Sequence, residues 1–345
     1  MVYSHDLDDG LNEKLTRIKK LGFNSIFYVT KNYDGKVFYQ SSIADVEKDA
    51  LSKICEVCDT LSIKVFSWFC LFSEGYTGEL DAEGISKFLQ KNPYVAAKDK
   101  IGRTTLSHPV PSDYGFENYV CPLNERVQTY EINLMIEILK KYTISGIHLD
   151  FVRYPWPGQY CYCDYCEKAY WETYGEKLNE ISIEKHQSWK EQVITKFVSR
   201  VYKELQEIRK DATVSALVWK YPEGLSKNQN WKEWDTDFVT PMFQHRLYIR
   251  TAKWIKREIK RNVSMSRKQF IPAIGGINSS VITLRKWREI LDVIYSVGLE
   301  DFLIMHYDLD GVLNTLEGET ASEFLNKLLK GGFFVFRHLL RRITI

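Results

Sequence analysis

The sequence lacks the segments that direct a chain into or across a membrane. Residues 1–10 are polar and acidic and hold no apolar stretch of the kind that a secretory signal contains. No apolar run approaches the roughly 18 to 20 residues that a membrane-spanning helix requires. A net charge of +2 gives no support for a nucleic-acid partner or an acidic surface. With residue 1 as the natural start, we expect a cytoplasmic protein with neither a membrane nor a nucleic-acid partner.

Motifs of three common enzyme classes are also missing. No G-x-G-x-x-G follows an early strand, so a dinucleotide-binding fold is disfavoured. The sequence has neither a P-loop nor the G-x-S-x-G elbow of serine hydrolases. We therefore expect no organic cofactor.

The sequence does contain a regular alternation of strand and helix patterns, without a repeat or a low-complexity linker. Strands are predicted at 1–4, 24–30, 63–71, 144–150, 213–219, 238–243, 269–274 and 301–307. Helices are predicted at 11–21, 43–61, 82–90, 125–142, 183–209, 246–261, 283–297 and 319–329. Eight strands that alternate with helices predict an α/β fold, a single (β/α)8 TIM barrel. We assign the barrel to residues 1–332 and leave the tail at 333–345 unplaced.

The fourth predicted strand carries the main candidate for catalysis. Its apolar residues Ile147, Leu149 and Phe151 alternate with His148 and Asp150, so the first set is expected to face the helices and the second the barrel axis. Two prolines then end the strand, which leaves Asp150 at the carboxyl end, where barrel enzymes build their active sites. The structural alternative is a buried Asp150 that pairs with an arginine three positions later.

Other candidates lie near the ends of the remaining strands. For a second catalytic carboxylate the sequence offers Glu223 and Asp308, with no reason to rank one above the other. Lys31, Asp34, Glu74, Gln244 and Tyr307 are further strand-end residues. Substrate-binding residues are predicted to be His148, Arg153, Tyr154, Tyr28, Trp68, Trp219, His245 and His306.

The cysteines form the most specific local pattern. Cys161, Cys163 and Cys166 make a C-x-C-x2-C cluster that can share one tetrahedral ion, and Cys121 is the best fourth ligand. Four thiolates leave no open position, so we expect a structural Zn²⁺ site that ties two neighbouring loops. The alternative is ordinary loop thiols, which would be chemically hazardous at this density.

Several segments resemble one family. Residues 146–155, G-I-H-L-D-F-V-R-Y-P, resemble the G-I-H-L-D-Y-I-R-Y-P signature of the glycosyl hydrolase-like family ten group. The C-P-L-N at 121–124, the W-x-x-W at 231–234 with D-F-V-T-P-M at 237–242, and G-x-x-x-Y-x-S at 35–41 resemble further segments of that family. The four cysteines are similar to the structural zinc cluster of family 42 β-galactosidases. The chain departs from the family at its nearly missing first strand and at Phe243, where the family has tyrosine.

The resemblance implies hydrolysis of glycosidic bonds in an oligo- or polysaccharide, with Asp150 as the catalytic carboxylate. One alternative is a metal-dependent hydrolase that uses the His148-x-Asp150 and His306-x-Asp308 pairs. Another is a carbohydrate-binding barrel without catalysis. The sequence leaves open the sugar, the linkage, the stereochemistry and the oligomeric state.

Overall fold

The computed structural model describes residues 2, 5–7, 10–78, 84–112, 115–243, 251–266, 268–275, 284–305 and 308–317. The strands are β1 (Ser25–Lys31), β2 (Lys64–Cys70), β3 (Ser73–Gly78), β4 (Gly84–Ile85), β5 (Val110–Ser112), β6 (Gly115–Tyr119), β7 (Gly146–Asp150), β8 (Thr213–Trp219), β9 (Phe238–Met242), β10 (Gln269–Phe270), β11 (Ala273–Gly275) and β12 (Leu303–Met305). The α-helices are α1 (Leu11–Lys20), α2 (Leu51–Thr60), α3 (Lys87–Lys91), α4 (Glu125–Lys141), α5 (Asp164–Tyr174), α6 (Ile183–Ile208), α7 (Glu223–Ser226), α8 (Ala252–Met265), α9 (Leu284–Tyr295) and α10 (Leu309–Leu316). Within these ranges no helix has the length and apolar character to span a membrane.

The main sheet is parallel and curls into a (β/α)8 barrel. Its strand order is β1-β2-β7-β8-β9-β11-β12, and β10 pairs with β9. The predicted first strand is present as Val2, whose amide donates to Phe27 O and whose carbonyl accepts from Val29 N. The predicted fold class is therefore confirmed. The carboxyl ends of the parallel strands meet at one face, which gathers the loops that follow them.

Two local predictions were wrong, each for a physical reason. The predicted helix 43–61 begins only at Leu51, because Val37 donates to Asp45 O and accepts from Glu47 N, which holds this stretch in a bridge instead. The predicted strand 269–274 divides into β10 and β11 around Pro272, which has no amide hydrogen for the ladder. Helices α5 and α10 were not predicted. The predicted helix 319–329 and the tail 333–345 lie outside the described residues.

The predicted long loop between β2 and α4 contains a second sheet. Strands β4, β3, β6 and β5 pair in that order and antiparallel. This four-stranded sheet, called the flap sheet below, follows the third barrel strand and stands at the carboxyl face. Its residues are brought together by pairings between segments that are distant in the sequence.

A buried ion cluster joins the flap sheet to the barrel. Lys31 Nζ lies 2.8 Å from Glu74 Oε1, 3.2 Å from Glu131 Oε1 and 2.8 Å from the carbonyl oxygen of Cys70. All three charged side chains are 0% exposed. Burial alone would lower the pKa of Lys31, but the charges of Glu131 and Glu74 outweigh it and raise the pKa. Burial raises the pKa of Glu131 to about 7, so two carboxylates depend on one cation.

Replacing Lys31 with methionine should therefore lower the free energy of unfolding by about 3 to 5 kcal/mol, because two buried carboxylates lose their cation. The matched control is Lys53→Met, which removes an exposed ion pair with Glu56 and should cost at most about 1 kcal/mol. Urea denaturation of both variants measures the difference. Equal losses in the two variants would contradict the assignment.

Candidate active site and metal centre

Asp150 is the last residue of β7, at the carboxyl face of the barrel. Trp68 Nε1 donates to its Oδ2 at 3.1 Å, and the Phe151 amide donates to its Oδ1 at 2.6 Å. The first of these contacts follows from the parallel register, which pairs Trp68 with His148, two residues before Asp150 and on the same face of β7. Burial raises the pKa of Asp150 to about 6, against the lowering effect of these two donors. Both oxygens thus accept hydrogen bonds, and the group titrates near neutral pH.

The residue after Asp150 turns away from the strand pattern. Phe151 has a φ of 56°, in the left-handed region that non-glycine residues rarely adopt. Its ring stacks on Tyr33 at 6.1 Å between centroids and lies 6.2 Å from Tyr119. The expectation that Phe151 faces the helices was therefore wrong, since the left-handed turn brings the ring to the flap sheet. Strained backbone of this kind concentrates at functional sites.

Arg153 stands beside Asp150, and Glu117 of the flap sheet faces it. The guanidinium carbon lies 5.0 Å from the Phe151 ring centroid and 5.2 Å from that of Tyr119. Its Nη2 is 3.8 Å from Glu117 Oε2, while its buried Nη1 has no hydrogen-bond partner. Tyr119 Oη donates to Glu117 Oε2 at 2.5 Å. The positive charge of Arg153 lowers the pKa of Asp150 and the negative charge of Glu117 raises it, so the three groups form one electrostatic unit.

Two tryptophans and a lysine complete this side of the site. Lys227 Nζ lies 3.8 Å from the ring centroid of Trp156 and 4.2 Å from that of Trp219, the last residue of β8. Gln229 joins the two loops, because its Oε1 accepts from Trp219 N at 2.8 Å and its Nε2 donates to Val152 O at 3.5 Å. Of the predicted substrate-binding residues, the structure therefore brings Trp68, Arg153 and Trp219 to the side of Asp150.

Three predicted substrate-binding residues lie elsewhere, and we correct them. His148 is 0% exposed, with Nδ1 at 2.8 Å from Ser215 Oγ and Nε2 at 3.3 Å from Thr240 Oγ1, so it is a neutral residue of the barrel interior. Tyr28 packs in the outer layer between strand and helices. Tyr154 is fully buried, and its hydroxyl interacts electrostatically with the cysteine cluster.

The predicted partner carboxylates have other roles in the structure. Glu223 Oε1 forms an ion pair with Lys220 Nζ at 3.0 Å. Asp308 is exposed and caps α10 by accepting from the Gly311 amide at 2.9 Å. Predicted residues His245 and His306 lie outside the described residues. Glu117 was missed by sequence reasoning, since no local pattern marks a glutamate on an unpredicted antiparallel strand.

The four predicted cysteines do meet. The Sγ atoms of Cys121, Cys161, Cys163 and Cys166 all lie within 4.8 Å of one another, and all four residues are buried. The closest pair, Cys121 and Cys166, is separated by 3.4 Å, and the Lys98 amide donates to Cys161 Sγ at 3.3 Å. A tetrahedral ion with bonds of about 2.3 Å needs sulfur atoms about 3.8 Å apart. The cluster can therefore hold a metal ion, and it joins the segment before α4 to the loop after β7.

The fold and the site define a (β/α)8 barrel with a carboxylate at the end of its fourth strand, among aromatic side chains. The glycosyl hydrolase-like 10 family model matches residues 8–290, and the chain belongs to this family. No curated protein matches the sequence.

Solved glycosidase structures share the architecture. The PgaB (BpsB) glycoside hydrolase domain from Bordetella bronchiseptica superposes with a TM-score of 0.74 at 12% identity, over 95% of this chain and 97% of that one. A β-galactosidase from Rahnella sp. R3 superposes with a TM-score of 0.62 at 13% identity, over 96% of this chain and 55% of that one. The α-L-fucosidase isoenzyme 2 from Paenibacillus thiaminolyticus superposes with a TM-score of 0.60 at 13% identity, over 93% of this chain and 45% of that one. This chain thus spans about half the length of the last two, and at such identities the likeness shows the fold alone.

Proposed function

We propose that this protein is a glycoside hydrolase that acts on an oligo- or polysaccharide, with Asp150 as its catalytic carboxylate. The observation that carries the proposal is the position of Asp150 at the carboxyl end of β7, with each oxygen accepting one hydrogen bond. Family membership and the glycoside hydrolase named among the similar structures support the reaction class. The half-buried Trp219 and exposed Trp156 offer ring faces of the kind that sugars stack on.

The hydrogen bonds favour one chemical role for Asp150. Donors directed at both oxygens stabilise the anion rather than the acid. An anionic carboxylate serves as nucleophile in a retaining mechanism or as general base in an inverting one. We therefore assign to Asp150 the anionic role and look for the acid elsewhere.

Asp150→Asn should lower turnover by about a thousandfold or more, because the substitution removes the reacting anion and keeps the shape. In the wild type, kcat/KM should rise with pH through about 6, since the group must lose its proton to act. A panel of oligosaccharides assayed from pH 4 to 9 tests both. Equal turnover by the two proteins would overturn the role of Asp150, and saccharide binding without any turnover would indicate a binding barrel.

For the second carboxyl group we propose Glu117. Among the described residues it is the carboxylate that shares the Arg153 guanidinium with Asp150, whereas Glu223 pairs with Lys220 and Asp308 caps a helix. Glu117 lies on β6 of the flap sheet, and its negative charge raises the pKa of Asp150. As general acid, Glu117 would protonate the leaving-group oxygen. Tyr119 and Arg153 stabilise its anion in the free protein, so the substrate must displace these contacts before Glu117 holds the proton.

Glu117→Gln should reduce hydrolysis of unactivated oligosaccharides by about 10² to 10⁴-fold and affect nitrophenyl glycosides much less, because a good leaving group needs little protonation. Glu223→Gln is the matched control and should leave both rates near wild type. A purely structural role for Glu117 would lower both rates alike. That outcome would remove it from the mechanism.

We propose that the ion of the cysteine cluster is Zn²⁺ and that its role is structural. Four buried thiols suit this ion, and a four-coordinate thiolate site has no position open for water or substrate. Contact with Cys121 and the other two thiols lowers the pKa of Cys163, while burial raises those of Cys121 and Cys166. A closed site would hold the loop after β7 in place. It would not take part in the chemistry.

Cys163→Ser should lose the bound zinc and lower the melting temperature, because one of four ligands and the link between two loops are lost. Cys55→Ser, at a half-buried helical cysteine outside the cluster, is the matched control and should keep its zinc. Elemental analysis and thermal unfolding measure the two effects. Full zinc in Cys163→Ser would refute the four-cysteine site, and equal losses in both variants would indicate a general effect of removing cysteine.

The metal-dependent hydrolase finds no support among the described residues. That alternative needs His148 as a ligand, and both of its ring nitrogens are engaged inside the barrel. Burial lowers the pKa of His148 to about 3, as expected for a neutral interior residue.

A further inference from the structure

Lys227 is a buried cation near the candidate active site, held by rings instead of a carboxylate. The residue is 6% exposed, and its ammonium lies over both Trp156 and Trp219. In the described part of the chain no carboxylate forms an ion pair with it, whereas the nearby Lys220 pairs with Glu223 and Glu258. Ring faces compensate only part of the hydration that a buried ammonium loses. Lys227 therefore retains a strong attraction for an anion.

Arg153 is a second cation on the same side of Asp150, and part of its hydrogen-bonding capacity is unused. Its Nη1 is buried without a partner, and its nearest carboxylate, Glu117, is 3.8 Å away, beyond hydrogen-bond distance. A guanidinium offers five donors in a planar fork that matches carboxylate and sulfate oxygens. Burial lowers the pKa of Lys227 to about 8, the positive charge of Arg153 adds to this effect, and the negative charge of Glu223 acts against it. The two cations therefore act on one another. Lys227 is still mainly protonated at neutral pH.

Several contacts of the folded protein keep the positive charges of Arg153 and Lys227 close to each other. Gln229 bridges Trp219, at the start of the loop that carries Lys227, and Val152, next to Arg153. The rings of Phe151 and Tyr119 fix the guanidinium, and two tryptophans fix the ammonium. Two partly compensated cations kept side by side cost stability unless an anion joins them.

We propose that Arg153 and Lys227 form a subsite for an acidic sugar unit, which makes the substrate an anionic glycan. This inference rests on the proposed glycosidase function and deepens it by naming the substrate class. The acid group is a hexuronate carboxylate or a sulfate ester, both of which present oxygens to a cationic pair. The sugar ring would lie against the open parts of Trp156 and Trp219. A neutral glycan would leave the Lys227 ammonium without an ion pair and the Arg153 Nη1 without a hydrogen-bond partner.

The test is direct binding, which does not depend on hydrolysis. Isothermal titration of the full chain carrying Asp150→Asn uses three probes of equal length: an oligouronate, a sulfated neutral oligosaccharide and the unmodified neutral oligosaccharide. At least one acidic probe should bind about tenfold or more tightly than the neutral probe, and added salt should weaken it. The stronger of the two acidic probes identifies the acid group. Binding of the neutral probe as tight as that of both acidic ones overturns the proposal.

Variants then assign the effect to the lysine. Lys227→Met in the same background should reduce the affinity for the acidic probe by about tenfold and leave the neutral probe unchanged, while Lys227→Arg restores acidic binding. The control is Lys232→Met, at a lysine stacked 4.0 Å from the Tyr221 ring centroid, which should bind all probes as the parent does. Equal weakening for acidic and neutral probes in Lys227→Met indicates ring packing only and overturns the proposal. Acidic binding without wild-type turnover would sink the glycosidase assignment and leave the anionic subsite in place.

Discussion

The buried Lys31 cluster is the constraint on which the site depends. One ammonium at the end of β1 reaches the Cys70 carbonyl, Glu74 of the flap sheet and Glu131 of α4. Glu131 also accepts from the Phe72 amide, at the point where the chain leaves the barrel for the flap. Since a buried charge must be compensated wherever it lies, this cluster fixes where the flap begins. The positions of Glu117 and Tyr119 beside Arg153 follow from that start, because β6 pairs with β3.

The loops on the other side of Asp150 are held by different means. The cysteine cluster joins the loop after β7 to the segment that enters α4, and Gln229 joins the same loop to the end of β8. Neither link touches the carboxylate itself. The site thus consists of one catalytic candidate on a rigid strand and a ring of loops whose positions are set by buried polar contacts. Such an arrangement holds the candidate carboxylate in a fixed position, while the surrounding loops are free to vary with the ligand.

Sequence reasoning reached those parts of the structure that local patterns encode. Asp150 follows from strand periodicity and two prolines, and the cysteines follow from ligand spacing, because both signals lie within a few neighbouring residues. Glu117 could not be predicted from the sequence, since its position depends on the antiparallel pairing of β3 with β6 across a stretch that reads as a loop. The turn at Phe151 reverses the facing that strict alternation predicts, and only the backbone dihedral reveals it. The prediction that Tyr28 and Tyr154 bind substrate failed for a related reason, because the residue type does not tell which side of a sheet or loop a tyrosine faces.

His148, in the barrel interior, contributes no charge to the site. Beneath Asp150, His148 is hydrogen-bonded to Ser215 and Thr240 and stays neutral, with its pKa lowered to about 3 by burial. Because His148 is neutral, it does not shift the pKa of Asp150. Its pKa of about 6 reflects burial on one hand and the Phe151 amide, Arg153 and Trp68 on the other. An anion that engages Arg153 would offset part of the positive charge beside Asp150 and raise the pKa of Asp150 further, so such a ligand and this carboxylate would be electrostatically coupled.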